Sequence, residues 1–535
     1  MSTSKPGIPE GWPDVETLQR LANEYFSAPP GGFTPPGRES GGGISPIPED
    51  LGGSVPLAAT QPSSIELAGE EELRSLLPAA ARDFVTSAQS LAQAGTAPFF
   101  YFLEGPRAET PGFLPGFESG LPPISSGAGF DVNQVRRDFP ILQERVNGRQ
   151  LIWFDNAATT QKPQSVIDRL KFFYEHENSN IHRAAHELAA RATDAYEQAR
   201  EKVRKFLNAS SVNECIFVRG ATEAINLVAQ TWGRQNIGKD DEIVISWLEH
   251  HANIVPWQQL ANEKGARIRV IPVDDSGQIL LEEYGKLLGP KTKLVSFTHV
   301  SNALGTITPA RQMIEMGHGA GAKVLLDGAQ AVSHMPVDVQ NLNPDWYVFS
   351  GHKVFAPTGI GVLYGKEEVL NQMQPWQGGG NMIKDVTFDR TTYQDSPLRF
   401  EAGTGNIADA VGLGAAIDYV SKLGMSAIAG YECDLLQYAT RLLKEIQGLR
   451  LIGTAPEKAS VLSFVLNGYR TEDVGEALNR EGIAVRSGHH CAQPILRRFG
   501  VESTVRPSLA FYNTYAEIDA LITALKRLTS RSAPL

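Results

Sequence analysis

Two residues that could support cofactor chemistry each follow an apolar stretch of the sequence. Lys353 ends the run Ser350-Gly351-His352-Lys353, and Asp327 follows the apolar residues 324–326. A lysine amine at the end of a strand, with a buried carboxylate upstream, suits a Schiff base with pyridoxal phosphate. For a lone SGHK run, however, a solvent-exposed loop lysine is the better interpretation. Further features are therefore needed before a cofactor role can be assigned to Lys353.

A candidate nucleophile lies in the run RSGHHC, which ends at Cys491. A free thiol is only a few per cent thiolate at neutral pH, and we expect the arginine and the two histidines of this run to raise that share. The other cysteines, Cys215 and Cys433, lie in strand and helix patterns and are predicted to be inert and buried. Three cysteines without CxxC spacing support neither a disulfide framework nor a zinc ribbon.

Motifs for metals and nucleotides are not found in the sequence. It contains no P-loop, no Rossmann fingerprint and no HExxH motif. His182 and His186 are one helical turn apart, but the glutamate of a metalloprotease does not accompany them. We therefore predict no metal site.

The charge balance argues against nucleic acid as a partner. The chain has 49 Lys+Arg and 60 Asp+Glu, for a net charge of −11, and no strongly basic segment that would attract phosphates. It has no 18-residue apolar run, and its first residues resemble neither a signal peptide nor an arginine-rich transit peptide. We expect a cytoplasmic protein that binds neither nucleic acid nor a membrane.

The elements that must position these residues are strands alternating with helices. Such alternation predicts βαβ units and a mainly parallel sheet, with ligands bound beyond the carboxyl ends of the strands. Beyond about residue 405 the pattern changes to helices and short strands, which indicates a second, smaller domain. The predicted strands are Ile152–Asp155, Cys215–Val218, Glu242–Ser246, Arg267–Val273, Leu294–Thr298, Val324–Asp327, Trp346–Phe349 and Gly361–Tyr364.

The first 130 residues differ from the rest in composition. They contain 18 Gly, 18 Pro, 6 Lys+Arg and 15 Asp+Glu, which is typical of disordered segments. Apolar clusters interrupt this tail: a helical stripe from Val15 to Phe26, a second helical pattern from about Glu70 to Ala94 that is broken at Pro78, and the aromatic run from Phe99 to Phe102. These clusters indicate docking, either on the protein's own core or on another protein. The predicted organisation is a tail over 1–129, a large domain over 130–405, whose residues 130–150 pack on the small domain, and a small domain over 406–535.

A specific resemblance covers residues 130–535. This segment resembles the group-II cysteine desulfurases, the SufS and selenocysteine-lyase branch of the fold-type-I pyridoxal-phosphate-dependent transferases. The short loop around Cys491 separates this branch from group I, which has a longer serine-rich loop there. The matching stretches are FDNAATTQKP (154–163), NIHRAAH (180–186), RGATEAIN (219–226), EHHANIVPW (249–257), HVSNALGT (299–306), LLDGAQAVSHMPVDV (325–339), FSGHKVFAPTGIGVLYG (349–365), FEAGT (400–404), RSGHHCAQP (486–494) and RPSLAFYNT (506–514).

The resemblance implies an α/β fold with a mainly parallel mixed sheet and pyridoxal 5'-phosphate as the cofactor. Lys353 would form the Schiff base and later move the substrate α-proton. Asp327 would face the pyridine nitrogen and keep it protonated. Gln330 would bond the phenolic oxygen, and His250 would stack on the ring and relay a proton.

The cofactor phosphate would be held at the start of the helix that begins near Gly220. The resemblance assigns the Thr222 hydroxyl and the neighbouring backbone N–H groups, including that of Ala221, to this phosphate. Ser350 and His352 would complete the phosphate site.

The resemblance also implies a homodimer whose subunits share their sites. Thr404 would reach the cofactor phosphate of the other subunit, while His182 and Arg183 would reach the neighbouring substrate pocket. The family commonly has proline after this threonine, whereas Gly405 follows here.

The substrate implied by the resemblance is L-cysteine. Cys491 would attack the substrate sulfur, so that L-alanine leaves and a persulfide stays on the thiol. Arg506 would bind the substrate carboxylate with its bidentate fork. Arg486 and Asn302 would be supporting contacts, and Asn302 would also contact the cofactor.

Three questions stay open at the level of sequence. Selenocysteine lyase is the nearest alternative activity, because selenium leaves more readily and need not require the thiol. The persulfide-acceptor protein leaves no motif in this chain. The tail resembles the N-terminal extension of desulfurases that are cargo of family-2 encapsulin shells, so residues 1–129 would load the enzyme into a protein shell; the alternative is a solubilising or self-docking segment.

Overall fold

Buried strands alternate with helices through the middle of the chain in the computed structural model, which describes residues 131–182 and 186–530. The strands are β1 Arg145–Val146, β2 Arg149–Gln150, β3 Ile152–Trp153, β4 Cys215–Val218, β5 Glu242–Ser246, β6 Arg267–Ile271, β7 Thr292–Thr298, β8 Lys323–Asp327, β9 Trp346–Ser350, β10 Gly361–Gly365, β11 Ile383–Val386, β12 Thr391–Tyr393, β13 Leu449–Ile452, β14 Ser463–Leu466, β15 Ile483–Ala484, β16 Arg486–Gly488 and β17 Thr504–Arg506.

The helices connect these strands and cover the sheets. They are α1 Val132–Arg137, α2 Gln164–His176, α3 Glu187–Leu207, α4 Ala221–Val228, α5 Arg234–Asn236, α6 Val255–Lys264, α7 Leu281–Leu287, α8 Ala310–Gly319, α9 Ala331–His334, α10 Val339–Leu342, α11 Glu367–Leu370, α12 Ile407–Leu423, α13 Met425–Lys444, α14 Thr471–Arg480, α15 Gln493–Arg498 and α16 Tyr515–Ser530. Two short 3-10 turns, His251–Asn253 and Gly351–Lys353, lie close to the site described below.

The central sheet has seven strands in the order β4-β10-β9-β8-β7-β5-β6. Its pairs from β9 to β6 are parallel, and β10 runs antiparallel to both of its neighbours. Strands such as β9 and β10 are buried at every position, as expected for a sheet that is covered on both faces. The predicted mixed, mainly parallel sheet is confirmed.

The first predicted strand lies outside this sheet. Only Ile152 and Trp153 of it are extended, as β3, and they pair in parallel with β15, which lies more than 300 residues later in the chain. A partner this distant leaves no local signal, so the sequence predicts a strand here without identifying the strand with which it pairs.

A second sheet positions the candidate nucleophile and the two arginines. Its four strands follow the order β13-β14-β17-β16 and are antiparallel. In the pairing of β16 with β17, Arg486 lies directly opposite Arg506. Cys491 follows β16 by three residues, so the arginines and the thiol come from one corner of this sheet.

Helix α3 illustrates how the helices that cover the sheets form. Its buried side chains recur at intervals of three and four residues, which gives one apolar stripe, and it ends at Asn208, whose backbone is left-handed with φ 55°. This stripe packs against α12, a helix that is buried along most of its length. The buried residues of the stripe are Ala189, Ala192, Ala195, Tyr196, Ala199, Val203 and Leu207.

Several predictions fall on residues that the structure does not describe. The apolar clusters of the 1–129 tail and Arg183 lie outside the described residues, and the division of the remainder at 405 stays a prediction. Near the start of the described chain, Arg136 donates to the Tyr512 carbonyl and pairs with Glu517. Within residues 131–182 and 186–530, we find no helix that is long and apolar enough to cross a membrane.

Candidate active site

A cavity of about 470 Å³ lies beyond the carboxyl ends of the central parallel strands. Its size suits a small-molecule ligand. The structure brings most of the residues predicted for the site onto the wall of this cavity: Ala221, Thr222, His250, Asn302, Asp327, Gln330, Ser350, His352, Lys353, Arg486, Cys491 and Arg506.

Lys353 ends the 3-10 turn that follows β9, and a clamp of hydroxyl groups fixes this turn. The His352 carbonyl accepts hydrogen bonds from Thr160 N (3.0 Å), Thr160 Oγ1 (3.1 Å) and Thr159 Oγ1 (3.1 Å). Thr160 Oγ1 also accepts from the N–H of Phe355, whose φ is 64°. The clamp comes from the FDNAATT stretch, and sequence analysis did not assign it a role.

The charge of Lys353 depends on burial and on Asp327. Burial lowers the pKa of Lys353 to about 8, and the attraction of the Asp327 carboxylate offsets part of that shift. Asp327 ends β8, is buried, and accepts from Ala329 N at 2.9 Å. Its own pKa is raised, because burial outweighs this hydrogen bond and the nearby Lys353.

The predicted phosphate end lies where α4 begins. The Ala221 N–H donates to Ser350 Oγ at 2.9 Å, so this backbone donor already has a partner within the chain. Thr222 is exposed at the first turn of the helix. Burial and the positive charge of Lys353 lower the pKa of His352 to about 4, which makes its imidazole neutral.

Gln330 and His250 complete the wall near Asp327. Gln330 Nε2 donates to the Ala157 carbonyl at 2.7 Å, which ties the amide to the FDNAATT stretch. His250 Nδ1 accepts from Ala252 N at 3.1 Å, so the ring proton resides on Nε2. Burial lowers the pKa of His250 to about 3 and keeps this tautomer neutral.

A buried glutamate next to His250 was not assigned a role by sequence analysis. Glu249 is fully buried and accepts hydrogen bonds from Ser246 Oγ, from Thr298 N at 3.1 Å and from Asn253 Nδ2 at 2.6 Å. Burial raises its pKa to about 8, although the hydrogen bonds act in the opposite direction. These bonds join the ends of β5 and β7 and fix the start of the segment that bears His250.

Cys491 lies on a loop whose backbone is held from both sides. His490 and Cys491 both have φ 54°, a conformation that costs free energy in residues other than glycine. The His490 carbonyl accepts from Asn302 Nδ2 at 2.7 Å, and the Cys491 carbonyl accepts from His251 N at 2.8 Å. The Cys491 thiol is exposed to the cavity.

Two expectations about the thiols and their surroundings were wrong. His490 is buried against Thr504 Oγ1 at 2.7 Å, and burial together with Arg506 lowers its pKa to about 2, so it adds no positive charge near Cys491. Cys433 is exposed on α13, because the thiol lies on the outer face of that helix. Cys215 is buried as expected, and burial raises its pKa to about 12.

The two arginines of the site meet at one carboxylate. Asp155 Oδ2 accepts from Arg486 Nε at 3.1 Å and Nη2 at 2.9 Å, and Asp155 Oδ1 lies 3.5 Å from Arg506 Nη2. Arg506 also donates to the Asn302 carbonyl at 2.9 Å. Its burial lowers its pKa to about 10. Two buried atoms here, Arg506 Nε and Asn302 Oδ1, have no hydrogen-bond partner within the chain.

Thr404 and His182 are not on the wall of this cavity. Thr404 lines a separate cavity of about 600 Å³ together with Glu401 and Arg219, and His182 Nε2 lies 3.5 Å from Glu197 Oε1. Their predicted contacts are with another subunit and stay predictions. Among the described residues we find no cluster of three or more His, Cys, Asp or Glu side chains that could hold a metal ion.

The comparisons with known proteins match the part of the chain that follows the N-terminal tail. Residues 152–521 match the family model described as Aminotransferase class-V. A cysteine desulfurase from Synechococcus elongatus is 72% identical over 412 residues, which cover 77% of this chain and 66% of that protein. The chain thus spans just under two thirds of the length of that relative. A cysteine desulfurase from Dickeya dadantii is 51% identical over 400 residues, covering 75% of this chain and 97% of that protein.

A solved structure supports the same grouping. The cysteine desulfurase CsdA from Escherichia coli aligns with a TM-score of 0.71 and 38% identity, covering 76% of this chain and all of that chain. The family model matches well over half of the chain, and the Dickeya relative is matched over nearly its whole length. The chain therefore belongs to the class-V aminotransferase family and, within it, to the cysteine desulfurases.

Proposed function

We propose that this protein is a pyridoxal-phosphate-dependent cysteine desulfurase that converts L-cysteine to L-alanine and keeps the sulfur as a persulfide on Cys491. The observation that supports this most directly is the placement of Lys353, Asp327, Cys491 and Arg506 on the wall of one cavity. Membership of the cysteine desulfurases supports the same reaction.

The residues of the cavity fit the cofactor. The lowered pKa of Lys353 suits an amine that must lose its proton to bond to the cofactor aldehyde. The buried Asp327 carboxylate suits a protonated ring nitrogen of the cofactor. Gln330 and His250 would contact the ring, while Thr222, Ser350 and His352 would hold the phosphate. When bound, pyridoxal phosphate supplies an electron sink for the substrate α-carbon.

The residues around it would orient the substrate and move its protons. Arg506 would bind the substrate carboxylate, because its Nε has no partner within the chain and a guanidinium matches a carboxylate fork. Lys353 Nζ, with a pKa of about 8, would accept and return the α-proton. The neutral His250 would donate from Nε2.

Sulfur transfer would occur at Cys491. Its Sγ, as thiolate, attacks the substrate sulfur, so that an S–S bond forms and the C–S bond breaks, with the electron pair leaving on the carbon side. That carbon, the substrate β-carbon, takes up one proton, which balances the proton lost from the substrate thiol, and return of the α-proton from Lys353 to the α-carbon completes L-alanine. An acceptor thiol on another protein would later take the sulfur from the persulfide.

The test is a Cys491→Ala variant of the cofactor-loaded protein. We expect alanine formation from L-cysteine to fall at least about 100-fold with cofactor absorbance unchanged, while Cys433→Ala keeps full activity. Retained turnover of L-cysteine by Cys491→Ala would overturn the proposal. If the wild type instead prefers L-selenocysteine and the variant retains that activity, the enzyme is a selenocysteine lyase.

We also propose membership of the group-II branch and a homodimer with shared sites. The short RSGHHCAQP loop supports the branch. Neither Thr404 nor His182 lies on the wall of the cavity of its own subunit, which is consistent with contacts across a dimer. Coexpression of Lys353→Ala and Thr404→Ala subunits should restore one intact site per mixed dimer. If mixing restores no activity, the sites are not shared.

For residues 1–129 we propose a shell-loading role, with the enzyme enclosed in a protein compartment of the cytoplasm. Its support is the acidic Gly/Pro-rich composition with isolated apolar clusters ahead of the catalytic segment. Full-length protein, a version without 1–129 and a Leu18/Leu21/Phe26→Ser version are coexpressed with an encapsulin-type shell protein and sedimented. Only the full-length protein should cosediment with shells, and equal loading of all three would overturn the proposal.

A further inference from the structure

Lys162 carries a positive charge next to the turn that bears Lys353. Its Nζ donates to the Thr160 carbonyl and lies 3.4 Å from both the Thr159 hydroxyl oxygen and the His352 carbonyl oxygen. All three acceptors are neutral, and among the described residues no carboxylate acts on the amine. Sequence analysis assigned Lys162 no role, although it lies in the FDNAATTQKP stretch.

The residues proposed to hold the cofactor phosphate have no charge of their own. They are the hydroxyl groups of Thr222 and Ser350 and the imidazole of His352, whose lowered pKa of about 4 keeps it neutral. A phosphate monoester has a charge of roughly −1.5 to −2 at pH 7. The positive end of helix α4 offsets only about half an elementary charge of this.

We infer that Lys162 is a positioning residue for the cofactor phosphate, and that its ammonium supplies the positive charge which the phosphate-holding residues lack. The inference rests on the proposed function, since it takes the phosphate to lie at Thr222, Ser350 and His352. Lys162 does not belong to the cavity wall. It therefore acts through the turn of His352 and through its electric field, not by contact.

Two observations support this role. The charge of Lys162 reaches the imidazole of His352, because it contributes, after burial and Lys353, to the lowered pKa of that ring. Burial also lowers the pKa of Lys162 itself to about 8, with no carboxylate to oppose the shift. A part-buried cation without an ion-pair partner costs free energy, and an anion bound nearby offsets that cost. The phosphate would be this anion.

The probes are pyridoxal 5'-phosphate and pyridoxal, which present the same aldehyde to Lys353 and differ in the phosphate. Absorbance titration of the full-length, cofactor-free protein at pH 7 gives the ratio of the two dissociation constants, pyridoxal over pyridoxal 5'-phosphate. We expect Lys162→Gln, whose amide can still donate to a carbonyl, to lower this ratio at least about tenfold relative to the wild type. Lys162→Arg keeps the charge and should leave the ratio within about threefold, even where both affinities fall.

Thr159→Val is the matched control, because it weakens the same turn without removing a charge. A loosened turn impairs the binding of both aldehydes to Lys353 alike, so Thr159→Val should leave the ratio unchanged. An unchanged ratio in Lys162→Gln, or an equal fall of the ratio in Lys162→Arg or Thr159→Val, overturns the inference. If Lys162→Gln does not fold, as judged by circular dichroism, Lys162→Met is held to the same criterion.

Thr222→Val separates the role of Lys162 from the proposed placement of the phosphate. Valine lacks the hydroxyl that would bind the phosphate, so this variant should lower the same ratio. A fall of the ratio in Thr222→Val without a fall in Lys162→Gln overturns the role of Lys162 alone. An unchanged ratio in Thr222→Val overturns the placement of the phosphate and, with it, the inference.

Discussion

The imidazoles of His250, His352 and His490 are all neutral at pH 7, because burial lowers their pKa values to about 3, 4 and 2. These three rings therefore add no positive charge near Cys491, whereas Arg486, Arg506 and Lys353 are cationic side chains on the same cavity wall. A histidine in this cavity can act as a neutral hydrogen-bond donor or acceptor. At the scale of the residue, desolvation determines which side chains are charged.

The pKa of Lys353 leads to a prediction about cofactor uptake. Only the unprotonated amine can attack a carbonyl carbon. We expect the rate at which cofactor-free protein combines with pyridoxal phosphate to rise with pH and to be half-maximal near pH 8, as followed by stopped-flow absorbance. In Asp327→Asn the midpoint should move to lower pH, because the lost carboxylate had raised the lysine pKa. A midpoint near 10.5 in the wild type would contradict this prediction.

At the scale of the element, Lys353 and Cys491, for which we propose reactive roles, both lie on or next to short turns with left-handed residues. The turn of Lys353 is held by Thr159 and Thr160, and the loop of Cys491 is held by His251 and Asn302. In each case the holding groups come from a distant part of the chain. The strain of these turns is thus compensated by contacts that exist only in the folded protein.

Thr160→Val tests the first of these turns. Valine has nearly the shape of threonine but can neither donate to the His352 carbonyl nor accept from Phe355 N. We expect the free energy of unfolding of the cofactor-free protein, measured in urea, to fall by about 1–3 kcal/mol, and pyridoxal phosphate to bind several-fold more weakly. Thr159→Val removes one bond to the same carbonyl and should cost less. Equal losses of unfolding free energy in Thr160→Val and Thr159→Val would argue against the clamp.

At the scale of the whole molecule, a buried ion pair joins segments that are far apart in sequence. Arg200 on α3 is 1% exposed and donates to Glu401 Oε1 at 2.7 Å and Oε2 at 2.9 Å. Glu401 also accepts from Phe217 N on β4 at 2.8 Å. This pair fixes the segment before α12 that bears Thr404, and so connects the central sheet with the second cavity.

Glu401→Gln should destabilise the whole fold. It removes the bidentate partner of the buried Arg200 guanidinium, which then keeps only the partly exposed Glu197 as an ion-pair partner. The loss of one member of a buried pair costs at most about 3–5 kcal/mol. The measurement is urea unfolding. Glu315→Gln breaks the exposed pair with Arg311 and should change the free energy of unfolding by less than about 1 kcal/mol. If both variants lose the same free energy of unfolding, the buried Arg200–Glu401 pair stabilises the fold no more than the exposed pair does.

Much of the site was determined by the sequence itself. Asp327 and Ser350 end neighbouring parallel strands, and Lys353 and His250 follow strand ends closely, so the topology of an α/β sheet brings them to one edge. Strand positions followed from runs of β-branched and aromatic residues, a local signal that is independent of partners. The candidate nucleophile was singled out by the residues adjacent to it.

Tertiary structure decided the features that depend on distant partners and on burial. The pairing of β3 with β15, the exposure of Cys433 and the neutral state of His490 could not be predicted from neighbours in sequence. Asp155 shows the same limit, because its two arginines lie more than 300 residues away in the chain. Hydrogen bonding and desolvation act between groups close in space, and only the folded chain determines which groups those are.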